Sequence, residues 1–110
     1  MEITVKPMEG YSVVGVKDRL DTMTVWDFEQ RVNGLLKEGC TRMVLDLEAL
    51  EYISSAGLRS LMSLSKKLKS AQGAMAICGL QGLPKEIFAV SGFDTVFRIH
   101  GTVAEAAASL

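Results

Sequence analysis

Asp46-Leu-Glu-Ala-Leu-Glu-Tyr-Ile-Ser-Ser-Ala-Gly-Leu58 changes its periodicity in mid-course. Upstream, Arg42-Met-Val-Leu45 is a short apolar, partly β-branched run of the kind that forms a buried strand. Downstream, Leu58, Leu61, Met62, Ser65 and Leu68 recur at helical spacing. Ser54 and Ser55 therefore fall where a period of two gives way to a period of 3.6, at the start of a helix running from about Ala56 to Ala71 and stopping before Gly73. The first backbone N–H groups of a helix have no partners and carry partial positive charge, so this junction suits a serine cap and suits an anion equally well.

Working outward, Ile3-Thr-Val-Lys-Pro7 and Tyr11-Ser-Val-Val-Gly-Val16 predict a hairpin around Glu9-Gly10, with Pro7 keeping the first strand at an edge. That edge, near Ile3 to Pro7, is also open to pairing with another chain. After Asp18-Arg-Leu-Asp21, Thr22 or Thr24 can cap a helix whose apolar positions are Val25, Phe28, Val32, Leu35 and Leu36, ending near Lys37 and Gly39. Beyond the serine junction, Ala74-Met-Ala-Ile-Cys78 predicts a strand, Pro84 to Val90 a short helix, Val96-Phe-Arg-Ile99 a last strand, and Val103 to Leu110 a terminal helix. Strands alternating with helices require crossovers, so the expected fold is α/β: one mixed, mostly parallel sheet of about five strands with about four helices and an antiparallel edge. Residues 1–110 form one domain, without linker, repeat or low-complexity segment.

Composition narrows the function. The 110 residues are 48% hydrophobic and 23% charged, enough to bury roughly two-thirds of the unfolded surface without staples. Twelve basic and thirteen acidic side chains leave a formal charge of -1, which gives no basic excess for nucleic acid and no basic face for a membrane. Cys40 and Cys78 stand far apart with no CxxC pattern and are read as reduced thiols of a cytoplasmic protein. Neither a secretion signal nor a membrane-spanning stretch is indicated. A protein partner or a small ligand fits these totals better.

Few residues invite chemistry. Asp18, Asp21 and Asp46 sit at a loop and a strand end, where aspartate serves turns and solubility, and they do not amount to a metal or acid/base cluster. His100, the only histidine, has no nucleophile or second imidazole near it and is read as a surface residue. Lys66-Lys-Leu-Lys69 forms a solvated helix face too short to steer nucleic acid. Gly79-Leu-Gln-Gly-Leu-Pro-Lys85 lacks the Walker spacing, and Ser54-Ser-Ala-Gly57 lacks the glycine that would make it a hydrolase elbow. No enzyme, cofactor or metal site emerges. For the serines themselves local chemistry leaves two readings: both serve only the helix cap, or one caps while the other stays exposed to a kinase. Small Ala56 and Gly57 leave room there for a partner's backbone or a phosphate.

Tyr52-Ile-Ser-Ser-Ala-Gly-Leu58, preceded by Val44-Leu-Asp-Leu47 and by Leu20-Asp21, resembles the STAS family, in particular the bacterial anti-sigma factor antagonists, over nearly the whole chain. By that resemblance Ser55 corresponds to the serine that a partner kinase phosphorylates, Ala56 to the following Ser/Thr, and Gly57-Leu58 to the Gly-Leu of the motif. Ser54 stands where those antagonists often have Asp, and Asp18 where glycine is frequent. Asp21 matches the family's Leu-Asp element on the partner-binding surface, and Arg59, four residues after Ser55, is placed to reach a phosphate. The resemblance implies a non-enzymatic module without cofactor, directly contacting no nucleic acid and inserting into no membrane. Its partners would be an anti-sigma factor serine kinase of the HPK-like ATPase type and a serine phosphatase. The partner-binding residues are then Asp21, Ser54, Ser55, Ala56, Gly57 and Arg59, with Ser55 the phosphorylation site and Ser54 the alternative. Two other roles stay within reach of the fold: an accessory or scaffold subunit of a transporter or stress-signalling complex, and a nucleotide-binding module.

Overall fold

The computed structural model describes residues 1–110, and its first element follows from turn chemistry. β1 (Glu2–Pro7) and β2 (Ser12–Leu20) are antiparallel, with Ile3 opposite Val16 and Val5 opposite Val14. Between them Gly10 takes φ +86°, a left-handed conformation that glycine adopts at no steric cost, and the Met8 amide donates to the Tyr11 carbonyl at 2.8 Å. Pro7 closes an edge strand, where a missing N–H deprives no neighbour.

β2 continues past the Val16 end that the sequence suggests, and it changes partner on the way. Its register shifts between Asp18 and Arg19, where Asp18 is held at φ +72°. Ser12–Gly15 pair with β3 (Arg42–Asp46), and further along Asp18–Leu20 pair with β4 (Leu50–Ile53), both in parallel, the register shift falling within the β4 pairing. The segment Asp18 to Leu20 is thus strand, not loop, and β4 is a strand that the sequence pattern does not announce. With β5 (Ala74–Cys78) and β6 (Ile99–His100) the sheet has six strands in the order β1-β2-β3-β5-β6, β4 lying beside the far end of β2. All pairings except the opening hairpin are parallel, as expected.

Period-two alternation then sorts the helices. Met43, Leu45, Met75 and Ile77 enter a cluster of 17 buried side chains with Phe28 and Val32 of α1 (Val25–Lys37), Leu58, Leu61, Leu64 and Leu68 of α2 (Ser55–Ser70), and Phe88 of α3 (Gly82–Ser91). Their neighbours Val44, Ala76 and Cys78 face the other way, onto Ala106 of α4 (Val103–Ala108). Strands covered on both faces have no need of polar positions, which is why Met43-Val-Leu45 is uninterruptedly apolar.

The C-terminal part departs from expectation. Gly92 ends α3 in the left-handed region at φ +75°, and Phe93–Thr95 form a 3₁₀ turn, so only Ile99–His100 become strand in place of Val96–Ile99. Phe97 instead joins Phe88 and Phe93, its ring centroid 6.0 and 6.1 Å from theirs, and Val96 is left exposed. No helix is long and apolar enough to cross a membrane.

Candidate functional site

The end of β4 delivers the two serines in different states. Ile53 is fully buried and fixes the strand end. Ser54 follows with extended backbone, φ −93° and ψ 173°, and its amide donates to the Leu20 carbonyl at 3.0 Å, so β2 and β4 finish side by side. Its Oγ accepts the Gly57 amide at 3.3 Å and its carbonyl accepts from Leu58 at 2.9 Å, which makes Ser54 the N-cap of α2. Ser55 is the first helical residue and is exposed to solvent. Of the two expectations for this pair, one cap and one free hydroxyl is the arrangement found.

Gly57 corrects another expectation. It is buried, and a Cβ there would stand 2.6 Å from the Leu20 oxygen and 2.7 Å from Ile53 Cγ1. Its smallness lets the first turn of α2 lie against the ends of β2 and β4. The space is filled from within the protein, so no partner backbone or phosphate comes close to Gly57 itself; Ala56, half-buried, stands beside it.

Leu20 also leads into the loop that carries Asp21, which brings that carboxylate to the same end of the molecule. Asp21 Oδ1 accepts the Met23 amide at 2.9 Å, and Oδ2 accepts Arg19 Nε at 3.2 Å. Thr24 holds the N-cap position of α1, but its hydroxyl makes no cap bond. It accepts the Asp21 amide at 3.0 Å and donates to the Arg19 carbonyl at 2.9 Å, bracing the loop, so the expectation of a threonine side-chain cap is corrected. The Arg19 guanidinium lies 4.4 Å from the centre of the Tyr52 ring and so ties the loop to β4. Desolvation alone would raise the Asp21 pKa. The hydrogen bonds from Arg19, the Met23 amide and Thr24, with the charge of Arg19, outweigh it and hold the carboxyl below its ordinary range. At neutral pH it is a fixed anion. Arg59 is exposed on α2, one turn after Ser55 on the same helix face.

Two surface residues belong to this end although nothing in their chemistry draws notice in the sequence. Met23 is 86% exposed and Trp26 67% exposed, on either side of the helix start that follows Asp21. The available signal is helical spacing: Trp26 falls off the Val25, Phe28, Val32 stripe and has no core to enter. Large apolar side chains left in water beside an ordered carboxylate are typical of a protein-binding surface.

The remaining candidates do not converge. Asp18 lies within β2, and Asp46 ends β3 with Oδ1 accepting the Glu48 amide at 3.1 Å. No three His, Cys, Asp or Glu side chains gather as metal ligands. His100 is half-buried in β6 with Nε2 sealed from water, which corrects its reading as a surface residue. Lys66, Lys67 and Lys69 are exposed on α2 as expected. Both thiols are free; burial, then the charges of Asp46 and Glu48 and a hydrogen bond to Asp46, push the Cys78 thiol up to about 11.

Known proteins share this fold and part of this sequence. The sequence matches the model of the STAS domain over residues 2–106. BtrV of Bordetella bronchiseptica, to which an anti-sigma factor antagonist role is ascribed, is 31% identical over 109 residues, 99% of this chain and 94% of that protein. RsfB of Mycobacterium tuberculosis, an anti-sigma-F factor antagonist, is 24% identical across 94% of this chain and 84% of its own. The crystal structure of an anti-sigma factor antagonist from Mycobacterium paratuberculosis superimposes with a TM-score of 0.87 at 25% identity, covering 98% of this chain and 92% of that one. The likeness spans almost the full length in sequence and in fold, and the chain belongs to the STAS domain family.

Proposed function

We propose that the protein is an anti-sigma factor antagonist of the cytoplasm, working by binding and not by catalysis. Unmodified, it captures an anti-sigma factor that is also a serine kinase of the HPK-like ATPase type. Phosphorylation of Ser55 by that partner ends the complex, a serine phosphatase restores it, and sigma-factor-dependent transcription follows the unmodified fraction. The likeness to BtrV and RsfB supports the class of partner. The observation that carries the switch is the division of labour at the helix start: Ser54 is engaged by the Gly57 amide, and Ser55 is exposed.

The physics of the switch follows from the position. A phosphate on Ser55 adds about −1.5 to −2 charges and three acceptor oxygens. The positive end of α2 accommodates them and Arg59, one turn on, is placed to answer them, so the fold persists. The partner, however, must now desolvate a phosphate beside the ionised Asp21. Docking against Ser55, Ala56, Asp21 and the exposed Met23 and Trp26 is lost by repulsion and desolvation, without unfolding. The nucleotide-binding alternative relied on room at Gly57, and Leu20 and Ile53 fill that room.

Incubation with the partner kinase and ATP, followed by mapping of the phosphate by mass spectrometry, tests the assignment. Wild type and Ser54→Ala take phosphate on residue 55, and Ser55→Ala takes none. Phosphate found on Ser54 overturns the assignment, and a complex indifferent to phosphate on Ser55 supports a scaffold instead.

A further inference from the structure

Beyond its first turn, α2 carries a second surface that shares only Arg59 with the switch. The helix presents Arg59, Lys66, Lys67 and Lys69 and not one acid. The chain has thirteen acidic residues to set against its twelve basic ones, yet its single ion pair is Arg19–Asp21, in another loop. Cations in a last turn are favoured by the negative end of the helix, which accounts for Lys67 and Lys69. It accounts for neither Arg59 nor Lys66.

Those two, with Lys67, rim a shallow, open groove of about 720 Å³. Half-buried Leu36 of α1, Met62 of α2 and Phe93, with exposed Ala71, make the apolar part of its lining, and no acidic side chain lines it. Lys67 Nζ donates to Asn33 Oδ1 at 3.2 Å, a neutral partner that steadies the ammonium and leaves its charge uncompensated. Cations around an apolar floor call for a ligand with carboxylates around an apolar ridge. Half-buried Leu36, Met62 and Phe93 do not protrude far enough to insert into a bilayer, but the apolar stripe of one helix can lie along them. From Arg59 to Ser70 the groove follows α2 for roughly 16 Å, the length of about three helical turns.

We infer that this groove docks an acidic amphipathic helix of a protein partner, at a surface that meets the Ser55 end only at Arg59. The inference depends on neither the kinase nor the phosphate. It is tested on the full chain with a fluorescein-labelled peptide of about four helical turns carrying Leu at i, i+3, i+4 and i+7 and Glu on the flanks. Fluorescence anisotropy gives affinity, and amide shifts in NMR give location. The expected result is saturable binding with shifts centred on Met62, Lys66 and Phe93. Lys66→Glu with Lys67→Glu weakens it roughly tenfold at unchanged thermal stability, and Lys66→Gln with Lys67→Gln weakens it less. A scrambled peptide and a Lys-for-Glu peptide do not compete. No binding at about millimolar peptide, shifts centred elsewhere, or equal binding of the scrambled peptide overturns the inference. Tighter binding to phosphatidylglycerol vesicles than to the peptide, abolished by the same reversals, overturns it in favour of a lipid surface.

Discussion

Gly57→Ala should destabilise this domain even though alanine is the better helix former, because the added methyl has nowhere to go. Alanine in place of glycine inside a helix gains up to ~1 kcal/mol. Against that gain, the new Cβ would sit 2.6 Å from the Leu20 carbonyl oxygen, 2.7 Å from Ile53 Cγ1 and 3.1 Å from Leu20 Cγ. The carbonyl is held by the Ser54 amide at 3.0 Å, and Leu20 and Ile53 have no exposed surface into which to retreat. Relief must come from shifting the first turn of α2 away from the ends of β2 and β4. Overpacking of this kind costs about 1–3 kcal/mol, and a contact with fixed backbone belongs in the upper part of that range. The net loss is about 1–2 kcal/mol, which for a domain of this size lowers Tm by on the order of 5–10 °C. Thermal unfolding followed by circular dichroism, with urea titration for the free energy, measures it. A Gly57→Ala protein as stable as the wild type would refute the packing account and return Gly57 to the binding surface.

Further expectations follow from the same geometry. Ser54→Ala removes the α2 cap and should cost about 1 kcal/mol, whereas Ser55→Ala should stay within ~0.5 kcal/mol; equal losses in urea unfolding would contradict the division of roles. Cys40, partly exposed, should react with a thiol reagent in the folded protein while Cys78 reacts only on unfolding, so that two fast thiols would contradict the burial of β5. Because the Cys78 thiol is raised to about 11 from an ordinary 9.0, the unfolded chain ionises first, and stability should fall as pH rises between those values; a Cys78→Ala protein should lack that fall. Asp21 has the opposite sign. Its lowered folded pKa contributes stability above the ordinary carboxylate value of 3.8 and loses it as pH drops through the folded value, so the gap between wild type and Asp21→Asn should close on acidification.

Sequence pattern reaches unequally far into this molecule. The hairpin, α1, β3, α2 and β5 are legible because each has a strong local signature: Gly10 in the turn, the Val25-Phe28-Val32 stripe, the unbroken Met43-Val-Leu45. β4 is hidden because its pairing depends on β2 running past Gly15, where it leaves β3, to take a second partner at Asp18–Leu20, and nothing local in Leu50-Glu-Tyr-Ile53 records that event. The last strand is misplaced for a related reason: Val96-Phe-Arg-Ile99 has strand composition, but tertiary contact of Phe97 with Phe88 and Phe93 outweighs it. At the site, the change of period locates both serines, yet only the three-dimensional course of Leu20 decides that Ser54 caps, Gly57 packs inward and Ser55 remains outside. Met23 and Trp26 escape notice because an exposed apolar residue is recognised only once the core has been seen to close without it.

The central claim is that one exposed hydroxyl governs docking while the scaffold stays intact. The most direct measurement is the affinity of the partner anti-sigma kinase for two preparations of the full chain, unmodified and phosphorylated on Ser55, with thermal unfolding recorded for each. The expected result is an affinity lower by on the order of a hundredfold, or about 2.7 kcal/mol, for the phosphorylated form at nearly the same Tm. Equal affinity of the two forms, or a loss of affinity accompanied by a collapse of Tm, would contradict it.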